Sequence, residues 1–299
     1  MSAVQPTTHS AAANGRVKAQ RVHRRNEIVG NAVKYLALGV AALVAIVPII
    51  VVLFAASKTS VEYGTTNALT PPGNPFYIAN YIRAFTEGRM ALGFLNTVLV
   101  MAVSLTGAIL LGSMVAYVIS RFRFRGRRIV LLAFLFATLV PAVTTQVATF
   151  RIVNFLGLYN TRWAAIVLFM GTDVISIYIF TQFMDKISIS LDESAMLDGA
   201  SYLRIFAQIV LPLTKPAITT VLIIKGVAIY NEFYIPFLYM PRRDLHMVST
   251  ALYSFQGPFG SEWEVICAAI MIATIPTLLL FLFLQKYIYN GFTSGSVTE

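Results

Sequence analysis

Six runs of about 20 mostly apolar residues recur along this chain, at approximately 34–56, 94–119, 129–150, 163–183, 213–238 and 265–285. A helix rising about 1.5 Å per residue crosses a hydrocarbon core of about 30 Å with a run of that length. Lipid offers the backbone no hydrogen-bond partner, so such runs fold as helices that satisfy their own peptide groups. Only 12% of the residues are charged against 57% hydrophobic, whereas soluble domains carry about 25% charged residues. The expectation is an all-α integral membrane protein with about six transmembrane helices in one bundle, covering 34–290. Residues 1–33 read as a basic, disordered cytoplasmic tail and 291–299 as a short cytoplasmic C-terminal tail. Pro48, Pro141 and Pro276 fall inside spans and are expected to kink them.

The chain carries 23 basic and 13 acidic residues, and their distribution decides what that excess means. With the N-terminus in the cytoplasm, fifteen basic residues fall inside, among them Arg121, Arg123, Arg125, Arg127 and Arg128 in one short loop. Seven fall outside and Lys225 lies within a span. That bias orients the bundle with both termini cytoplasmic in a cell membrane. It also accounts for the charge without nucleic acid, since the arginine loop is wedged between apolar segments rather than spread over a folded basic surface. The single cysteine, Cys267, is expected as a small packed residue and precludes an intrachain disulfide. His9, His23 and His246 lie outside the spans with no second ligand at metal spacing, so no metal site and no catalytic residue is expected.

Residues 184–212 are too polar to span and too patterned to be a simple connector. Ser190 followed by Glu193 is a capping-box spacing that starts a short helix, and Gly199 is placed to end it in a left-handed conformation. A second helix follows from about Ser201, with Tyr202, Ile205, Phe206 and Ile209 on one apolar face before Pro212 interrupts the pattern. A helix of about eight residues is barely stable alone in water and needs a surface to lie against. In span two, Ser104, Ala108, Gly112 and Ala116 recur every fourth residue, a stripe that lets a neighbouring helix approach closely. The outer segments 57–93 and 239–264 are long, and Pro71, Pro72, Gly73 and Pro75 mark the first as an ordered, turn-rich excursion.

The sequence Glu193, Ser194, Ala195, three residues, Gly199, nine residues, Ile209, one residue, Leu211 and Pro212 resembles the signature loop of ABC importer permeases, with Ser194 in place of the family's second alanine. Tyr230, Asn231, Glu232 and Phe233, the segment FQGPFGSEWE at 255–264 and the ending LQKYIYNGFTSGSV resemble the carbohydrate-uptake permeases of the maltose type. The family's tryptophan before the asparagine is Tyr230 here. The resemblance implies half of a translocation pathway for a disaccharide, oligosaccharide or related polyol. Its implied partners are a second homologous permease, two ATPase subunits and an extracytoplasmic solute-binding protein. No Gly-Lys dipeptide occurs in the chain, so the phosphate-cradling loop is absent. No cofactor is expected on this chain, with ATP and Mg held by the partner ATPase. In the implied coupling, the helix near Ser190 docks on that ATPase, Ser194 and Ala195 allow close approach, Glu193 pairs with a basic group, and Gly199 fixes the angle to the segment bearing Ile209, Leu211 and Pro212.

Charges within a bilayer are costly and usually face a partner or a cavity. Asp173 and Lys225, near the middle of spans four and five, could pair with each other, pair with another subunit or line the pathway. Gln146, Asn231 and Glu232 are further candidate pathway residues, since amides and carboxylates match sugar hydroxyls. A stand-alone secondary transporter or channel is the competing reading, and it predicts paired halves that are not visible between 1–150 and 151–299.

Overall fold

The computed structural model describes residues 9–171, 173–257 and 260–293, and they form an almost wholly helical chain. Three helices are long and apolar enough to cross a membrane: α1 (His9–Ala56), α4 (Met90–Arg121) and α15 (Trp263–Thr293). Three broken pairs pass the same test, which gives six crossings if each pair is one span. They are α5 (Arg127–Leu139) with α6 (Ala142–Phe155), α7 (Arg162–Met170) with α8 (Val174–Met184), and the segment Tyr202–Leu213 with α12 (Lys215–Asn231).

Pro141 bends its run as expected, while the break after Gly171 and the early end of the fifth run depart from the expected spans. The run at 129–150 turns by 105° at Pro141, whose ring holds Val140 extended at ψ 115°. The run at 163–183 turns by 47° after Gly171. There Asp173 starts α8 afresh by accepting the Ser176 amide at 2.7 Å. The fifth run, expected over 213–238, ends at Asn231, and a separate short helix α13 (Tyr234–Tyr239) follows the extended Glu232. Pro48 and Pro276 instead lie inside the continuous α1 and α15. Helix α1 begins at His9, within the segment expected as an N-terminal tail, while 1–8 and 294–299 lie outside the described residues.

Helix α4 is the hub. Its stripe Ser104, Ala108, Gly112 and Ala116 is buried and faces α7 and α8. A methyl group at Gly112 would sit 3.7 Å from Ser176 and 3.8 Å from Phe180, ordinary contact, so the stripe serves close helix packing. Helix α1 lies along α15, which also packs on α3 (Ala79–Glu87). Cys267 is half-buried in that cluster. Helix α5 contributes no buried residue and leaves Ile129, Leu132, Leu135 and Phe136 exposed, as a lipid-facing helix does.

The long segments at the opposite end from the 184–212 loop are ordered by specific bonds. After α2 (Ser60–Thr65), the Asn80 amide donates to the carbonyls of Ala56 at 2.9 Å and Lys58 at 2.7 Å, pinning α3 to the end of α1. Buried Asn96 donates to the carbonyls of Asp244 and His246, both at 2.9 Å, and accepts from Arg162 Nε at 2.8 Å. Thr97 accepts from the Val248 amide, which starts α14 (Val248–Ala251). A two-stranded hairpin pairs β1 (Gln256–Gly257) with β2 (Gly260–Ser261), and Arg83 reaches Glu262 at 2.7 Å to join the two segments.

Candidate functional site

The loop after α8 folds as helix, turn, helix. Helix α9 (Ile189–Leu197) is capped by Ser188, not Ser190: the Ser188 hydroxyl accepts the Ser190 amide at 3.3 Å. The capping-box expectation therefore fails, because Glu193 lies five residues into the helix and only the third reaches back to a cap. Gly199 does end the helix in the left-handed region, at φ +81°. Its amide donates to Met196 O at 3.0 Å and that of Ala200 to Ala195 O at 2.9 Å, the paired bonds of a Schellman stop. Ser201 then caps the next helix by accepting the Arg204 amide.

That helix takes an unusual course. α10 (Tyr202–Ile205) passes into a π turn over Phe206–Val210 and on into α11 (Leu211–Leu213). Pro212 was expected to interrupt the helix, yet the helix runs past it. The Leu211 amide bonds five residues back to Phe206, and the widened turn accommodates a residue with no amide hydrogen. The axis bends by 75° at buried Thr214, and α12 begins.

The faces of α9 are sharply different. Ala195 and Asp192 point inward, where Ala195 packs with Phe180, Met184, Ile205, Phe206 and Val210. Ala195 is thus a contact to this chain's own core. Glu193 and Ser194 are exposed beside Ile189, Met196 and Leu197, the last 91% exposed. Ile209 and Leu211 are half-buried against the same core, while Pro212 is exposed.

Asp192 holds the helix to the bundle. Its carboxylate lies 2.9 Å from Arg121 Nε at the end of α4, and both side chains are buried. Arg121 also donates to Ile187 O at 3.0 Å, and Ser120 donates to Asp185 at 2.5 Å. Rings reinforce the seam, with Phe122 edge-on to Tyr202 at 5.0 Å and Tyr117 against Phe206 at 5.3 Å. Sequence reasoning missed this anchor because Arg121 reads equally well as a topology signal. Nothing in the sequence of α9 separates an inward side from an outward one, so Asp192 gave no sign of its burial.

The candidate pathway residues do not converge. Lys225 Nζ contacts Asp173 Oδ2 at 2.8 Å and donates to Gly171 O at 2.9 Å, closing the break between α7 and α8. Of the openings considered for these two charges, this is mutual pairing. Gln146 donates to the Tyr239 hydroxyl at 3.3 Å. Glu232 accepts the amides of Tyr234 and Ile235, capping α13. Asn231 borders a cavity of about 390 Å³ between α12, α14 and α15, shared with Tyr230, Phe233, Ser249, Thr274 and Thr277. Beside it an aromatic group that sequence reasoning overlooked is partly exposed: Phe233 stacks on Phe237 at 5.1 Å and Tyr253 meets Phe237 edge-on at 4.9 Å. Among the described residues no three His, Cys, Asp or Glu side chains cluster at metal-binding distance.

Residues 108–294 match the family model described as binding-protein-dependent transport system inner membrane component. A putative ABC transporter permease protein, ORF2, of Caldicellulosiruptor sp. is 29% identical over 264 residues, 88% of this chain and 95% of that one. The trehalose/maltose transport system permease protein MalG of Thermococcus litoralis is 29% identical over 74% of this chain and 81% of its own. A solved bacterial ABC transporter that imports the acidic polysaccharide alginate superposes with a TM-score of 0.72 at 20% identity, covering 95% of this chain and 99% of that chain. A membrane-spanning helical chain with this loop, matched by that model over more than half its length, belongs to the binding-protein-dependent inner membrane components, the permease subunits of ABC importers.

Proposed function

We propose that this chain forms half of the translocation pathway for a di- or oligosaccharide or related polyol and receives its work through α9. A second homologous permease supplies the other half, two ATPase subunits hold ATP and Mg, and an extracytoplasmic solute-binding protein delivers the sugar. The 184–212 loop and both termini lie on the cytoplasmic side, where the fifteen basic residues counted above belong.

The observation that carries this reading is the division of α9 into an anchored face, Asp192 and Ala195, and a free face, Glu193, Ser194 and Leu197. A helix this short, fixed on one side and showing apolar side chains on the other, is suited to dock in a partner's cleft. Closure of the ATPases on ATP then draws the docked loops together and shifts the bundle between two states. The carbohydrate assignment draws support from the names of the relatives and from the exposed aromatic rings beside the Asn231 cavity.

Leu197→Asp places a charge on the free face without touching the anchor. Co-purification of the ATPase with the tagged variant should fall steeply while the two permeases remain assembled. Undiminished ATPase recovery together with wild-type transport in proteoliposomes would overturn the docking role.

A further inference from the structure

The turn between α4 and α5 concentrates positive charge, with five arginines within 121–128. Arg123, Arg125, Arg127 and Arg128 surround, with Phe124, a concavity of about 500 Å³. Arg121, the fifth arginine of the stretch, is spent on Asp192. Among the described residues none of the other four has a carboxylate partner, so like charges converge on an open space with nothing to neutralise them. Three of the four are exposed, and Phe124 is 40% exposed at the rim.

What adjoins this cradle fixes the kind of anion. Ile129 follows Arg128 directly and is 71% exposed, and Leu132, Leu135 and Phe136 continue the exposed apolar surface of α5. A cationic concavity thus sits at the start of a helix whose apolar side chains are exposed. Guanidinium groups match phosphate oxygens in paired geometry, and basic clusters at the ends of membrane helices attract anionic headgroups. We infer that this concavity holds the phosphate headgroup of an anionic phospholipid whose acyl chains lie along α5. An inorganic phosphate would satisfy the arginines but leave the apolar strip uncovered. An acidic protein surface would need no strip at all.

The test uses the assembled transporter in detergent, with retained lipid read by native mass spectrometry after addition of phosphatidylglycerol or phosphatidylcholine. Wild type should retain phosphatidylglycerol in preference, and Arg123→Gln/Arg125→Gln/Arg128→Gln should retain it at least about tenfold less, given the electrostatic attraction lost with each arginine. Leu132→Ser/Phe136→Ser, with every arginine in place, should also lose lipid. Inorganic phosphate should compete weakly. Should the triple variant fail to assemble, the corresponding Arg→Lys variant keeps the charge but not the paired geometry, and retention between wild type and background is expected. Equal retention of the two lipids by wild type, or unchanged phosphatidylglycerol in the arginine variant, would overturn the proposal. So would full displacement by phosphate with no effect of the α5 substitutions, or loss of the ATPase with lipid retention intact.

Discussion

Arg121 and Asp192 are two charges taken out of water on opposite sides of the seam between α4 and α9. A buried pair contributes little beyond a well-packed apolar substitute, but removing one partner strands the other at a cost of about 3 kcal/mol or more. Arg121→Met should therefore lower the unfolding temperature of the purified complex by several degrees, and Arg121→Met/Asp192→Leu should recover most of the loss. The membrane pair Asp173 and Lys225 is expected to behave alike: Lys225→Met alone should weaken assembly, Asp173→Asn/Lys225→Met should recover most of it, and sugar preference should stay unchanged in both, as measured by competition in uptake assays. His246 gives a pH signature. Burial, with Arg243 nearby, holds its imidazole below the ordinary value, so the folded state favours the neutral ring. Its contribution is full above about pH 6.5 and is lost as the pH falls below that, toward the lowered folded value. Thermal melts of wild type and His246→Gln should accordingly diverge as the pH drops through 6 and coincide at pH 8.

Among the elements, α9 and its glycine turn were legible because a short helix announces its ends. Gly199 appears where the sequence places it, with a left-handed backbone and no atom within 4 Å of an added methyl group. Replacement there is opposed by conformation and not by a clash, about 1 to 2 kcal/mol for an ordinary side chain and less for asparagine. Gly199→Val should uncouple ATP hydrolysis from transport more than Gly199→Asn, measured as sugar moved per ATP hydrolysed. The cap at Ser188 was misread because Ser190 and Glu193 have the right spacing, and spacing alone does not say which serine is extended. Of the interrupted spans, the one at Pro141 was marked by its proline, while hydropathy alone registered neither break for a related reason. Hydropathy summed over 20 residues registers that a segment belongs in lipid, and one backbone break at Gly171 or Pro141 leaves that sum unchanged. The π turn at 206–210 was equally hidden, since nothing in FAQIV opposes an α-helix and only the need to carry Pro212 explains it.

At the scale of the whole molecule, hydropathy reported the bundle and the signature loop reported the family. Three of the four polar residues proposed for the pathway serve caps, pairs or ties between helices. The fourth, Asn231, lines a cavity beside a cluster of aromatic rings. The outer segments, by contrast, act as one body, riveted through Asn80, Asn96 and the Arg83 to Glu262 pair. That rigidity leaves the joint at Thr214 as the place where the loop's motion meets the membrane helices. Two arms joined at 75° form a bell crank. In the proposed coupling, a tug along the first arm, Tyr202–Leu213, would reach α12 mainly as a sideways swing, parting helices like a pair of shutters instead of sliding one past another as a piston would.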